Sequence, residues 1–428
     1  MTEMHGGSVH FLFPDVFREN IRAFRQVLKE PAGLDHDISF AVKANKGMSF
    51  LEVASKEGIG CDVSSIYEYR AALGHGIPGE RITLSGPSKN LDFLLLAFLL
   101  GSRISVDSWG ELDDIHSMTK KADFKKVRIL FRIGDLTNRA SRFGFSQKEL
   151  PELINFVRRN KKAFICEGFA FHLDGYSIEE RAVAIQDIFK YIESARAAGI
   201  QCSVINIGGG YAVNYVTEEQ GIIFDALSDT DFFAGNKPKG FYPYRSHING
   251  PDFLKVLLNT IILYNHESIR DRMITNKYQL IIEPGRALLH QAGITCFSVK
   301  ESRTTSSGDN IVNVDANINM LSEQWFNTDF LPGPAVVSAQ KRKLSSYRAS
   351  VGGNTCLEMD LLTKRKVDFP YPPVRGDVLV YLNTAGYQMD SNESMFHQIP
   401  LPQKVAVFRD GTGKWLYRQD TYFSRLDI

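Results

Sequence analysis

The chain has 428 residues, more than one hydrophobic core ordinarily supports, so a large domain with a smaller companion is expected. Hydrophobic residues make up 43% and charged residues 23%, which excludes a disordered, collagenous or coiled-coil chain. Lys and Arg number 50 against 49 Asp and Glu, and a net charge of +1 offers no electrostatic footprint for nucleic acid or an anionic membrane.

Residues 1–7 contain no basic segment leading into an apolar one, so a cytoplasmic protein is expected. The run 9–13 has strand character but no place in the alternation that follows, and is expected to pair with the C-terminal part. Strand-type runs at 38–43, 60–63, 81–84, 103–106, 127–133, 166–172, 203–207 and 278–283 then alternate with helical segments at 50–57, 66–75, 92–100, 109–118, 148–159, 178–198 and 253–266. The strands are apolar on both faces, as parallel strands covered by helices are. Eight units of similar length favour an α/β fold closed into a (β/α)8 TIM barrel over an open doubly wound sheet. The apolar run 93–100 is too short to span a membrane and reads as a buried helix.

Two regions break the rhythm. Residues 225–249, rich in Gly, Pro, Asn and aromatics, form an insertion expected over the barrel mouth. After residue 289, short strand-type runs at 294–299, 311–314, 335–337, 378–382 and 403–408 are separated by turn residues. The expected division is a barrel over 15–289 and an all-β domain, a sandwich or barrel, over 290–428 together with 1–14. The five cysteines show neither zinc spacing nor a disulfide framework, so no metal site is expected. Cys61, Cys166, Cys202 and Cys296 lie in apolar runs and read as core; Cys356 has polar, Gly-rich surroundings.

Side chains at the C-terminal ends of barrel strands share one mouth. Lys43 ends the first strand there; burial lowers a lysine's pKa and suits the amine to a Schiff base, while a strand-end lysine reaching solvent is the plain alternative. Asn206-Ile-Gly-Gly-Gly210 ends the seventh strand, and its glycines let backbone N–H groups close on an anion such as phosphate; a flexible turn is the alternative. Glu283-Pro-Gly-Arg286 ends the eighth. Glu283 can there hydrogen-bond a protonated ring nitrogen, and Arg286 with the Gly285 N–H can hold phosphate, unless the motif is a local ion pair. His172, Arg132 and Asp62 end the sixth, fifth and second strands. A lysine, a glycine cradle, a carboxylate and a flat imidazole at one barrel end point to pyridoxal 5'-phosphate.

At these residues the sequence resembles the fold-type III pyridoxal-phosphate enzymes, in particular the diaminopimelate, ornithine and arginine decarboxylase family. The markers are Phe40-Ala-Val-Lys-Ala-Asn45, Cys61-Asp-Val-Ser-Ser65 with Glu68, Leu84-Ser-Gly-Pro-Ser-Lys89, Ser141-Arg-Phe-Gly-Phe145, Phe171-His172, Asn206-Ile-Gly-Gly-Gly210, Glu283-Pro-Gly-Arg286, Gly353-Asn-Thr-Cys-Leu-Glu-Met-Asp360 and Ala385-Gly-Tyr387, all in the family's order. The resemblance implies Lys43 as the Schiff-base (aldimine) lysine and His172 as the ring-stacking histidine. It implies Gly208, Gly209 and Gly210 as the phosphate loop, Glu283 as partner of the pyridine nitrogen, and Gly285, Arg286 and Tyr387 on the phosphate side. Asp62, Glu68 and Arg132 correspond to residues that support the cofactor. Cys356 corresponds to a proton donor that enters from the second subunit, and Asp360 with Arg142 to a cross-subunit ion pair, so a homodimer with shared sites is implied.

The match has departures. Relatives acting on basic amino acids carry an acidic residue after the cysteine; here it is Leu357, with Glu358 one place later. His172-Leu-Asp-Gly175 lacks the hydroxyl that relatives place near the phosphate, and Asp174 reads as a helix-capping loop residue or a site for a substrate cation. The insertion and the stretch Tyr387-Gln-Met-Asp-Ser-Asn-Glu-Ser-Met-Phe-His397 resemble a divergent, y4yA-like branch linked to specialised metabolism. The resemblance thus implies decarboxylation of an amino acid or a modified amino acid. The alternatives are a racemase or epimerase of the same fold, against which Glu283 and Cys356 speak, a non-catalytic relative, and a small barrel protein of cofactor homeostasis, which would lack the β-domain.

Overall fold

The computed structural model describes residues 7–121, 126–137, 141–238, 242, 244–262, 266–322 and 330–420. The chain begins with β1 (Ser8–Leu12) and the amphipathic helix α1 (Pro14–Lys29), whose Phe17, Ile21, Phe24 and Leu28 form one buried stripe. Strands then alternate with helices as the sequence pattern requires: β2 (Asp35–Ala41), α2 (Met48–Lys56), β3 (Gly60–Val63), α3 (Ile66–Gly74), β4 (Ile82–Leu84), α4 (Leu91–Leu100), β5 (Arg103–Val106), α5 (Trp109–Lys121), β6 (Val127–Arg132), α6 (Leu150–Arg159), β7 (Phe164–Ala170), α7 (Ile178–Ala197) and β8 (Val204–Asn206). After β8 come α8 (Glu218–Asp225), α9 (Gly250–Asn259), a short hairpin of β9 (Ile261–Ile262) and β10 (Glu267–Ser268), α10 (Ile269–Thr275) and β11 (Gln279–Ile282).

The strands β2 to β8 and β11 close a parallel barrel, with β11 hydrogen-bonded to both β2 and β8. Helix α1 packs on α2 and α9 and completes the outer ring where a helix after β11 would stand. All eight barrel strands lie where the sequence places them, with three local differences. The first strand stops at Ala41, and Val42–Ala44 form a 3-10 turn, so Lys43 leaves the ladder. Helix α9 stops at Asn259, since the β-branched run Thr260-Ile-Ile262 enters the hairpin instead; residues 263–265 of the expected helix lie outside the described residues. The expected burial of 93–100 holds for one face only: α4 buries Phe93, Leu94, Ala97 and Phe98 and leaves Leu91, Leu95, Leu99 and Leu100 exposed.

The remaining strands are β12 (Gly293–Thr304), β13 (Asn310–Val314), β14 (Ala335–Val337), β15 (Tyr347–Gly352), β16 (Leu361–Phe369), β17 (Val378–Leu382), β18 (Gln403–Arg409) and β19 (Trp415–Gln419). With β1 they form a nine-stranded sheet. As expected, β1 joins this part, antiparallel to β12 and parallel to β18. The long β12 serves two arms: Ile294–Ser298 pair with β17, and Val299–Thr304 with β13. Strands β15, β16 and β19 carry no clear strand signal in the sequence, as Arg, Lys and Ser interrupt the apolar alternation. Buried apolar side chains run in one cluster from the barrel into this sheet.

The insertion, expected over the mouth, contributes no residue to the lining of the site cavity and instead reaches the sheet. Asp231 pairs with Arg348 of β15 at 2.6 Å, Lys366 of β16 donates to the Thr230 carbonyl at 3.0 Å, and Phe224 lies under Arg365. The segment thereby straps the barrel to the sheet. Tyr242 and Tyr244 then bring it back to the barrel end; their neighbours Phe241 and Pro243 lie outside the described residues. Among the described residues no helix is long and apolar enough to cross a membrane.

Candidate active site

Barrel register assembles the site. Ala41 stands beside Asp62, Arg132 beside Ala170, and Ala170 beside Asn206. The strand ends therefore share one rim, and Lys43, His172 and Glu283 follow one or two residues beyond it. Apart from Ala41 these residues, with Ser64, Ser85, Arg142 and Phe143, line a cavity of about 380 Å³.

Lys43 opens into this cavity although protein atoms crowd it closely. Burial works against its charge, but Asp62, Tyr387, Glu283 and Glu68 outweigh it and raise its pKa above the ordinary lysine value. Contrary to the expectation that burial would lower this pKa, the anionic groups gathered with Lys43 dominate. Asp62 is buried, and burial raises its pKa against the pull of Lys43, the Ser85 hydroxyl and Arg132. Glu68 begins α3 and accepts the Ser64 N–H at 2.6 Å, while its own N–H is capped by Ser65.

Glu283 and the glycine loop are joined by Asn206. The Asn206 amide donates to Glu283 Oε1 at 2.6 Å, its Oδ1 accepts the Gly208 N–H at 2.9 Å, and Glu283 N–H returns to the Gly208 carbonyl at 2.9 Å. Burial and the neighbouring Asp62 push Glu283 up to about 8. Gly208 and Gly210 hold φ of +64° and +79°, conformations that favour glycine. A Cβ on Gly208 would meet His172 Nδ1 and the Phe171 carbonyl at 2.8 Å, and one on Gly209 would meet the Glu283 carbonyl at 2.7 Å. The loop is therefore a cradle from which side chains are excluded. Gly209 N–H donates to His172 Nδ1 at 3.3 Å. Burial, followed by Lys43, Arg132 and Arg181, lowers His172 to about 3, so its ring is neutral.

Arg181 lies fully buried behind this loop and donates to the carbonyls of Ile207 at 2.7 Å and Gly210 at 3.3 Å. Sequence reading missed it. Its signal was a charged residue among Ala182, Ala184, Ile185 and Ile188 on the buried side of α7. Also missed was the support beneath Arg132. Asp107 pairs with Arg132 at 3.4 Å, and the ring of Phe143 lies 4.3 Å from Arg132 and 4.1 Å from Arg142. A buried Lys89–Glu111 pair at 2.8 Å ties the loop 84–89 to α5, and Lys89 also donates to the Gly86 and Ser105 carbonyls.

Gly285 packs where a Cβ would lie 3.1 Å from the Tyr387 hydroxyl, and Tyr387 N–H bonds the Ala44 carbonyl, so Tyr387, Gly285 and the Lys43 turn are in contact. Arg286 stands behind Tyr387, 4.7 Å from its ring and 4.2 Å from that of Tyr242, and donates to the Gly386 carbonyl at 2.9 Å. Two expected residues are not gathered here. Cys356 is exposed and does not line the cavity of its own chain. Asp360 is buried in its own chain, accepting the N–H groups of Ile318 and Thr355 and the Thr355 hydroxyl. Arg142 lies at the cavity, so Asp360 and Arg142 are not brought together within one chain.

A lysine amine, a neutral imidazole and a buried carboxylate thus converge on one cavity, and Asn206 and His172 bond the glycine loop to it. A family model described as the pyridoxal binding domain of pyridoxal-dependent decarboxylases matches residues 15–230. The chain is 35% identical over 415 residues to the uncharacterized protein y4yA of Sinorhizobium fredii, covering 96% of this chain and 90% of that protein. It is 23% identical over 453 residues to the diaminopimelate decarboxylase of Bacillus subtilis, covering 99% and 91%. Among solved structures, diaminopimelate decarboxylase from M. jannaschii superposes with a TM-score of 0.78 at 18% identity, covering 100% of this chain and 92% of that one. The arginine decarboxylase of Paramecium bursaria Chlorella virus gives 0.73 at 16%, covering 95% and 97%; these two show a shared fold. Motif order, cavity and family match agree, and the chain belongs to the pyridoxal-dependent decarboxylases, whose cofactor is pyridoxal phosphate.

Proposed function

We propose that this protein decarboxylates an amino acid or amino-acid derivative, in a barrel of residues 15–289 that holds the cofactor and with a sheet domain of 290–428 and 1–14 that completes the site. The observation that carries the reading is the convergence of Lys43, Asp62, His172 and Glu283 on one cavity beside the Gly208–Gly210 cradle. The residues fit pyridoxal phosphate, because the Gly208–Gly210 loop, packed too closely on Phe171, His172 and Glu283 to carry a Cβ at Gly208 or Gly209, would present bare backbone to an anion beside the cavity. Lys43 would hold its aldehyde carbon, Gly208–Gly210, Gly285 and Tyr387 its phosphate, and Glu283 its ring nitrogen. When bound, the ring accepts the electron pair left by departing CO₂.

The chain's own residues do the rest. Glu283, held by Asn206, is pushed up to about 8 by burial and Asp62 against the pull of Lys43 and Arg132, and a protonated ring nitrogen facing it would favour its carboxylate. His172 presents an uncharged ring, fixed at Nδ1 by the Gly209 N–H, as a flat wall to the cavity. Asp62 and Glu68 keep Lys43 charged until a basic group relieves it of its proton. Arg132, braced by Asp107 and Phe143, keeps a positive charge at the rim where a substrate carboxylate enters. Cys356 acts in the cavity of a second copy, where its thiol delivers a proton to the former α-carbon; a homodimer with shared sites follows. Leu357 beside it offers no charge to a distal ammonium, which favours a modified or uncharged side chain.

The test is CO₂ release from the holoenzyme against D- and L-amino acids, including N- and side-chain-modified ones. Release from one group, abolished in Lys43→Ala and strongly reduced in Cys356→Ala, is expected. Exchange of the α-proton with deuterium and no CO₂ from any member would overturn the reading in favour of a racemase.

A further inference from the structure

Cys356 has a partner that the reaction scheme above does not use. Its Sγ lies 3.3 Å from Nε2 of His397, across 41 positions of chain. Two separately built loops make this contact. On one side Asp360 gathers Thr355 and Ile318 and fixes the turn that carries Cys356. On the other, Asn392 is bonded by Ser322 and Asn319, and the hydrogen bonds of Gln398 to Met395 and of Ile399 to Phe396 close the turn around His397. Residues 318–322 anchor both loops, through Ile318 to Asp360 and through Asn319 and Ser322 to Asn392. His397 and Gln398 both adopt φ near +60°, at 58° and 60°, an uncommon conformation for such residues. The Phe396 ring packs on the imidazole at 4.2 Å. Around the pair Leu357, Met359, Met395 and Phe396 are all exposed, so the thiol and imidazole stand in an apolar surround.

We infer that His397 is the positioning residue of Cys356: it orients the thiol and returns a proton to it after each turnover. The inference rests on the decarboxylase reading for its catalytic part, since it is Cys356 that meets substrate. The step balances. The Cys356 S–H bond breaks as the substrate carbon takes the proton, and the electron pair stays on sulfur. The protonated His397 then gives its Nε2 proton to the thiolate and regains one from water, which reaches its exposed ring. Without His397 the thiolate must wait for a proton from solvent, and the thiol is no longer held in one direction.

The pair can be tested without substrate. Cys61, Cys166, Cys202 and Cys296 are buried, so iodoacetamide on the folded holoenzyme reports on Cys356, followed on its peptide by mass spectrometry. His397→Asn keeps a residue that tolerates positive φ but carries no titrating nitrogen. The alkylation rate is expected to fall about tenfold in His397→Asn, because the imidazole nitrogen 3.3 Å from the sulfur can take up the thiol proton as the sulfur reacts. Added imidazole is expected to restore part of it in His397→Ala, which a merely structural role would not allow. With a substrate in hand, kcat is expected to fall in His397→Asn with KM unchanged. An alkylation rate equal to that of the unaltered protein would overturn the pair. A slowed alkylation with unchanged kcat would overturn its part in turnover. If no amino acid releases CO₂, the decarboxylase reading fails by itself, and the alkylation result still decides whether the pair operates.

Discussion

Asn206 bonds Glu283 and Gly208 at once, its amide donating to the carboxylate at 2.6 Å and its carbonyl oxygen receiving the loop N–H at 2.9 Å. One side chain at the end of β8 thus sets both the group that faces the ring nitrogen and the first turn of the glycine cradle. Replacing Asn206 by Ala removes a bond to a charged acceptor, worth about 1.5–3 kcal/mol. Pyridoxal phosphate affinity is expected to fall roughly 10- to 100-fold, read by titrating the cofactor-free protein and following absorbance.

Glu283 gives the cofactor-free protein a pH signature. Its pKa stands near 8 in the fold against an ordinary 4.5, so between those values the folded state binds more protons than the unfolded state. Stability from this group is present at low pH and is lost as pH rises toward 8. The melting temperature of the cofactor-free protein is expected to decline across pH 5–8, and Glu283→Gln, which cannot ionise, is expected to flatten that decline. A decline equally steep in the variant would remove Glu283 as its cause.

Arg181 holds the carbonyls of Ile207 and Gly210 and so fixes the loop at both ends, while adding positive charge behind it. Arg181→Met is expected to weaken binding of pyridoxal phosphate far more than that of pyridoxal, which lacks the phosphate. Comparing the two dissociation constants checks this, and an equal loss for both ligands would assign Arg181 to general stability alone.

Shared sites predict complementation. Lys43→Ala and Cys356→Ala homodimers are each expected to be impaired, at Lys43 almost completely. Mixed and re-equilibrated subunits form half heterodimers by chance, each with one intact site, so about a quarter of full activity is expected above the parents' own. No recovery on mixing, with subunit exchange demonstrated, would place both groups in the same subunit's site.

Much of this could be read from residues in order. Apolar runs separated by amphipathic segments determined the barrel, because a parallel strand covered on both faces cannot hide its pattern. Lys43, His172, Gly208–Gly210 and Glu283 were legible because strand ends at one barrel face must meet. Three strands of the sheet, β15, β16 and β19, were not legible; half-exposed strands admit charged residues and turn on neighbours far away in sequence.

What only the tertiary structure decided is which groups lie within a few ångströms of one another. Composition told of no bond between Asn206 and Glu283, no buried Arg181 behind the glycines, and no His397 beside Cys356, since each joins segments tens of residues apart. The pKa of Lys43 shows the difference most plainly. From sequence, a buried strand end lowers it; in the fold, Asp62 on β3, Tyr387 from the sheet domain, Glu283 after β11 and Glu68 on α3 raise it instead. Burial is a property a sequence pattern can foretell, whereas the sum of Coulomb terms at one atom depends on distances that only closure of the barrel sets.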